Sequence, residues 1–251
     1  MGSGYYAACA GLRAQSQALE LIASNVANIS TTGYREQQPM FRSLLASAGH
    51  QLTNPLNRAI NDFGVLEGSR TDQRSGNLER TGNSLDLAIE GKGFFEIKTR
   101  GGMLYTRNGN FRVSPKGQLT TATGDLVLGE AALPRDPGLP ISLPSGDISI
   151  SPDGTISASG AVAGKLKIVE FAPCTVLVAE GKSYYSVPAT ALRASPDSRV
   201  GQGMLESSNV NSVKAVVDMI VAQRHAEMLV RAMSVFESNL DHIAANDLPK
   251  V

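Results

Sequence analysis

The sequence predicts an α+β chain: two amphipathic heptad helices at its ends, pairing as a coiled coil, and an inserted all-β domain of short antiparallel strands. Three observations carry that reading. Apolar residues recur in alternating steps of three and four near both termini. The interior switches to period two, with turn signals between short apolar runs. Glycine, 25 residues in all, lies mostly in that interior, as strand turns require. The expected organisation is a helix over 1–33, an extended linker over 34–75, the β-domain over 76–202 and a second helix over 203–251.

The first helix is read from Tyr5, Ala8, Leu12, Gln15, Leu19, Ile22, Val26 and Ile29, with Gln15 the only polar member of the seam. Nothing between Leu12 and Thr32 breaks a helix, and Gly33 supplies a left-handed stop. Asn25 and Asn28 sit three apart just before that stop, where their amides can cap the backbone or fix the register of a neighbouring helix. The linker mixes short apolar pieces with Pro, Gly, Asn and charge, and has a possible helical turn over 41–48.

In the β-domain, Leu85, Leu87 and Ile89 alternate with Asp86, Ala88 and Glu90, which reads as a strand with one polar side. Phe94 to Ile97 and Met103 to Thr106 follow, and Asn108-Gly109 is a two-residue hairpin signal before Phe111 and Val113. Pro115-Lys116-Gly117, Thr123-Gly124-Asp125 and Pro152-Asp153-Gly154 mark further turns. The second helix has no Gly or Pro from Leu205 to Leu248, and its seam runs Ala215, Met219, Ala222, Ala226, Leu229, Met233, Phe236, Leu240 and Ile243. Lys214, Asp218, Arg224, Glu227 and Arg231 read as a mostly solvated face. Ser208, Asn209 or Asn211 can cap its start.

Two such stripes must be covered. One solution is an ordinary helical hairpin within the chain; the other is self-assembly through paired terminal helices. Spacing alone leaves both open.

Composition narrows the function. The 23 basic and 23 acidic residues cancel, so no strong field favours nucleic acid or an anionic membrane. Tryptophan is absent, which argues against a stacking platform for bases or sugars. Cys9 and Cys174 form no zinc spacing or disulfide framework, and no uncharged apolar window is long enough to span a bilayer. No basic start with a following apolar run marks a signal peptide, so composition by itself reads as soluble and cytoplasmic. His50, His225 and His242 do not share a metal-binding spacing, and no Gly-x-Ser-x-Gly elbow exists. No catalytic residue, cofactor or metal is expected, and the chain is not read as an enzyme. A secreted β-domain that binds glycan or peptidoglycan, oligomerised by its helices, is the alternative from another class.

Four stretches carry a resemblance. SNVANISTTGYR at 24–35 resembles the N-terminal signature of bacterial flagellar rod and hook proteins. RTGNSLDLAIEGKGFFEI at 80–97, YTRNGNFRV at 105–113 and GQLTTATGDLVLG at 117–129 resemble their middle, and GMLESSNVN at 203–211 their C-terminal motif. The short β-domain, the length of 251 residues and the opening GSGYYAACAGLRAQSQALELIASN are most similar to the proximal-rod branch, with the distal-rod branch as the close alternative.

The resemblance implies a structural protein of cell motility. Family members are exported unfolded by the flagellar type III apparatus, without a cleaved signal peptide. They build the periplasmic rod of the basal body by helical assembly with copies of themselves and other rod proteins, and the rod carries torque from motor to hook. That replaces the cytoplasmic reading. The resemblance and the two seams together make Leu12, Leu19, Ile22, Asn25, Val26, Asn28, Ile29 and Gly33 candidate assembly residues. At the other end the candidates are Asn209, Asn211, Met219, Ala222, Ala226, Leu229, Met233, Phe236, Leu240 and Ile243, and the four asparagines are expected to set register.

Overall fold

A computed structural model describes residues 2–42, 65–130, 138–144, 146–172, 175–181, 183–188, 192–194 and 198–247. The chain divides into two compact units. The first comprises Met1–Ala27, Gln37–Arg70 and Asn211–Val251; the second comprises Asn28–Glu36 and Thr71–Val210. The sequence-based boundaries at 33 and 203 therefore fall inside the second unit, which takes in the segments flanking the β-domain.

In the first unit, helix α1 (Gly2–Ala27) packs along helix α2 (Ser212–Asp247). The buried side of α1 is made of small residues, Ala8, Gly11, Ala14 and Ala18, in steps of three and four that return to one face. The α2 side facing inward carries Ala215, Ala222 and Leu229, with Met219, Ala226 and Met233 half-buried beside them. Small side chains let the two backbones approach closely. Asn211 caps α2: its Oδ1 accepts from Lys214 N at 2.9 Å, and its carbonyl accepts the Ala215 N–H at 2.9 Å. Strand β1 (Gln37–Arg42) pairs with β2 (Val65–Thr71). The helical turn expected over 41–48 thus begins as strand at Phe41 and Arg42, and its remainder lies outside the described residues.

The second unit is built of short strands. In chain order they are β3 (Leu78–Arg80), β4 (Leu87–Glu90), β5 (Phe94–Thr99), β6 (Gly102–Thr106), β7 (Phe111–Val113), β8 (Leu119–Thr121) and β9 (Leu126–Gly129). There follow β10 (Leu139–Pro140), β11 (Ile148–Ile150), β12 (Thr155–Ala158), β13 (Ala161–Lys165), β14 (Ile168–Phe171), β15 (Val178–Ala179) and β16 (Tyr184–Ser186). The last are β17 (Leu192–Ala194), β18 (Arg199–Gln202) and β19 (Met204–Glu206).

The main sheet runs β15-β16-β6-β5-β9-β8-β7, with β10 on β9, β14 on β5 and β17 on β14. A three-stranded sheet, β11-β12-β13, and two ribbons, β18 on β4 and β19 on β3, complete it. The pairs β5–β6 and β7–β8 are antiparallel, as short returns between neighbouring strands allow, and β18 pairs antiparallel with β4 from far along the chain.

Alternation along β5 organises the core. Phe95 and Ile97 join Leu87, Ile89, Phe111, Leu119, Val127, Ile156 and Leu166 in one cluster, while Phe94 points the other way to Tyr105, Phe171 and Tyr185. Both faces of β5 are therefore covered. The turns at 115–117, 123–125 and 152–154 each close a hairpin, joining β7 to β8, β8 to β9 and β11 to β12.

Asn108-Gly109 does not close one: β6 pairs with β5 and β16, and β7 with β8. Close approach explains this glycine better. Leu87 N donates to Gly109 O at 3.0 Å, and a Cβ at position 109 would lie 1.7 Å from the Leu87 carbonyl oxygen. Asp86, read from alternation as part of a polar edge, is buried and accepts the side-chain amides of Asn83 and Asn110 at 3.3 and 3.1 Å.

Candidate assembly site

The helical unit shows an unfinished surface. On the side of α2 away from Ala215, Ala222 and Leu229, a second apolar stripe runs through Val213, Val217, Ile220, Val221, Met228 and Val235. Val213 is 73% exposed, Val217 51% and Met228 58%. Val213, Val217, Val221, Met228 and Val235 return to one face in steps of four and seven, with Ile220 beside them and Arg224 and Arg231 between. Fully burying one such side chain stabilises by about 1.5–3 kcal/mol, so leaving a row of them in water is a standing drive to find a cover. Leu12, Leu19, Ile22 and Val26 of α1 are half-buried, so they too keep surface free.

Two polar groups fix the packing of α1. Gln15, the polar member of the seam, donates from Nε2 to the Ala222 carbonyl at 3.3 Å, a bond from one helix to the backbone of the other. Asn25 is buried and acts as a strand neighbour: Nδ2 donates to Gln37 O at 2.8 Å and Oδ1 accepts from Gln37 N at 2.9 Å. These two bonds tie its amide to the backbone of β1. Asn28 makes a local turn in the second unit, where its carbonyl accepts from Thr31 N at 3.1 Å and its Oδ1 from Thr31 Oγ1 at 3.0 Å.

In the second unit, the segments that enter and leave the β-domain are laid side by side. Gly33 N donates to Glu206 O at 2.8 Å, Asn209 N to Tyr34 O at 3.3 Å and Glu36 N to Asn209 Oδ1 at 2.6 Å. A third segment joins them, since Asp72 N donates to Glu36 O at 2.8 Å and Asn209 Nδ2 to the carbonyls of Asp72 and Arg74 at 3.2 and 2.8 Å. Gly33 holds φ at +66°, and a Cβ there would sit 2.4 Å from Asn108 N. Left-handed backbone and close approach both demand glycine at this point.

Beneath this strap lies a charge cluster. Arg35, Glu206 and Arg107 have side chains 0%, 0% and 1% exposed. Arg35 Nη2 is 2.7 Å from Glu206 Oε1, an ion pair without in-line hydrogen-bond geometry, and its Nη1 donates to Arg74 O. Arg107 Nη1 donates to Glu206 Oε2 and Ile89 O, both at 3.1 Å, and Nη2 to Gly91 O at 2.6 Å. Gly76 N donates to Glu206 Oε1 at 2.9 Å, and Arg107 lies 4.8 Å over the Phe94 ring.

Burial lowers the Arg107 guanidinium to about 10, against the opposing pull of Glu206 and with a further push from Arg35. Arg35 N donates to the buried Tyr185 hydroxyl at 3.0 Å, and burial raises that phenol well above its ordinary value.

The cluster was not legible in the sequence. Nothing in local spacing pairs Arg35, Arg107 and Glu206, which stand far apart in the chain. The one available signal was that each stands inside a different signature stretch. Of the candidate assembly residues, Met219, Ala222, Ala226, Leu229 and Met233 line the inward side of α2; Ile29, Gly33 and Asn209 belong to the β-unit; and Asn211 is an exposed cap. Phe236, Leu240 and Ile243 fall within α2, with side chains outside the described residues. Cys9 is half-buried and His225 exposed, whereas His50, Cys174 and the His242 side chain lie outside the described residues. Among the described residues no His, Cys, Asp and Glu are grouped to hold a metal ion, and no helix is long and apolar enough to cross a membrane.

Three family models match the chain in order. They are a flagella basal body rod protein model over residues 6–35, a flagellar hook protein FlgE/F/G D1 domain over 88–158 and a flagellar basal body rod FlgEFG protein C-terminal model over 202–246. The chain is 32% identical to the flagellar basal-body rod protein FlgF of Caulobacter vibrioides, over 86% of this chain and 85% of that protein. It is 33% identical to the rod protein FlgG of Agrobacterium fabrum, over 95% and 97%, and 34% identical to FlgF of Escherichia coli, over 86% and 87%.

Proposed function

Since this chain belongs to the flagellar basal-body rod family, a family of structural subunits, we propose that it is a FlgF-like subunit of the proximal rod that joins its neighbours through the terminal helices. The observation that carries the assembly step is the exposed stripe Val213, Val217, Ile220, Val221 and Met228, opposite a side of α2 already covered. In a rod, copies of this chain and other rod subunits cover that stripe, and α1 and α2 contribute to a coiled-coil core. Contacts that do not close on themselves then extend a helical tube that carries torque to the hook.

The subunit reaches the periplasm unfolded through the flagellar type III apparatus. Isolated helices are marginal in water, so they complete their packing on docking. Leu12, Leu19, Ile22 and Val26 extend the interface on α1, and Phe236, Leu240 and Ile243 on α2, while Asn25, Asn28, Asn209 and Asn211 fix the geometry at the chain ends. The proximal assignment rests on the opening stretch and the length. The alignment to the Agrobacterium FlgG over 97% of that protein supports a distal-rod subunit as the second reading. Family membership favours the rod over a glycan-binding β-domain.

The test is a chain carrying Val217→Asp and Met228→Asp, expressed in cells lacking the native gene. Loss of swimming, with the purified monomer melting within a few degrees of wild type, is the expected outcome. Wild-type swimming would refute the assignment of this face.

A further inference from the structure

We infer that Arg35, Arg107 and Glu206 form a clasp that makes the folding of the β-unit conditional on both of its flanking segments. Glu206 is in direct contact with both guanidiniums, and all three side chains are essentially excluded from water. A buried charge left without its partner is strongly destabilising. If residues 203–209 are not in place, Arg107 faces the Ile89 and Gly91 carbonyls and the Phe94 ring without the carboxylate it touches, and keeps only the weaker pull of Glu170. If residues 33–36 are not in place, Gly33 N and Arg35 leave the Glu206 carbonyl and carboxylate.

The cluster is satisfied only when both segments are docked, and even then Arg35 Nε and Arg107 Nε find no hydrogen-bond partner among the described residues. It therefore has little to lose before it becomes unfavourable. The backbone couples in the same direction. Glu36 N and Asn209 Oδ1 meet across 173 residues of chain, and Gly76 is pressed so close to Ser207 O that a Cβ would lie 2.0 Å away. Closing this strap carries a large loop-closure cost that local contacts do not repay, so it forms together with the core and not before it. A chain delivered in order from its first residue cannot close the β-unit until Glu206 arrives. This coupling is independent of how the helices assemble.

Amide hydrogen exchange of the full chain by NMR tests it. The strap amides Gly33, Glu36 and Asn209 are to be followed beside the core amides Leu119 and Leu166, which donate to Ile141 O and Gly154 O. In wild type the two sets exchange within about threefold of each other, the mark of one cooperative unit. In Glu206→Gln both sets accelerate together, by at least about tenfold. Acceleration of the strap amides alone would overturn the proposal, as would a wild-type strap that exchanges freely over a protected core. Arg35→Lys keeps the charge but loses the planar fork, so it folds even if Glu206→Gln does not. Its strap and core amides must also accelerate together, by a smaller factor, and an unchanged core in that variant equally overturns the clasp.

Discussion

The two units of this chain solve the same problem of burying apolar surface to different degrees. In the β-unit the core is made of large side chains: Leu87, Phe95, Ile97, Val127 and Leu128 are all 0% exposed, although Leu139, Val162 and Val176 stand singly in water. Among the described residues of the helical unit the most buried apolar side chains are alanines, such as Ala8, Ala14, Ala18 and Ala222, while valines, isoleucine and methionine of α2 stand in water. The β-unit is a finished fold, and the helical unit is half of one. The difference teaches where to look for function in a protein with no catalytic group to point to it. On the proposed assembly reading, it lies where large apolar side chains are left exposed to water.

Substitutions sharpen that contrast, beginning with the largest effect. The double charge Val217→Asp with Met228→Asp removes assembly outright and leaves monomer stability almost unchanged, since neither position is buried. Motility plates and thermal melts of the two chains check both halves. Leu87→Ala does the reverse. It opens a cavity in the β-core and costs about 2–5 kcal/mol, read from denaturant unfolding followed by tyrosine fluorescence.

Alkaline pH comes next and acts on buried phenols of the β-unit. Burial, reinforced by Glu96, holds the Tyr105 phenol up at about 12, and burial raises Tyr185 too. Unfolding returns both to an ordinary value of 10.0, so the folded unit keeps protons that the unfolded chain gives up. Stability from these groups is complete below that value and falls as pH rises above it. Arg107, depressed to about 10 by burial, works in the opposite direction, but burial raises the Tyr184 phenol as well, so three phenols against one guanidinium leave a net loss. Unfolding midpoints measured from pH 9 to 11 should decline, with tyrosinate absorbance appearing on unfolding.

The smallest effect expected is that of the α2 cap. Asn211→Ala removes the side-chain acceptor for Lys214 N and costs about 1 kcal/mol of helix stability, visible as reduced ellipticity at 222 nm.

Part of this contrast can be read in the sequence. Period and breaker residues mark the two helices and the β-rich interior, because those signals are local. The hairpins at 115–117, 123–125 and 152–154 are legible for the same reason. On α1, ranking by hydrophobicity favours Leu12, Leu19 and Ile22, while the most buried side is Ala8, Gly11, Ala14 and Ala18. Close helix packing selects small size, to which a hydrophobic pattern is blind. The outer stripe of α2 is hidden by Arg224 and Arg231, which interrupt it and make the face read as solvated. Asn108-Gly109 misleads as a hairpin because its glycine answers to Leu87, a residue far away in the chain. The Arg35–Glu206–Arg107 cluster depends wholly on tertiary structure, since no spacing rule joins three charges from three separate stretches.

The central claim is that the helical unit is incomplete in the monomer and the β-unit is not. Limited thermolysin digestion of the purified monomer, with fragments weighed by mass spectrometry, tests it most directly, because this protease cuts before exposed large apolar residues. Rapid cleavage within α2 around Val217 and Ile220, leaving a resistant core that contains residues 71–210, is the expected result. An α2 as resistant as the β-unit would mean that the helices are already a finished intramolecular hairpin, and the claim would be wrong.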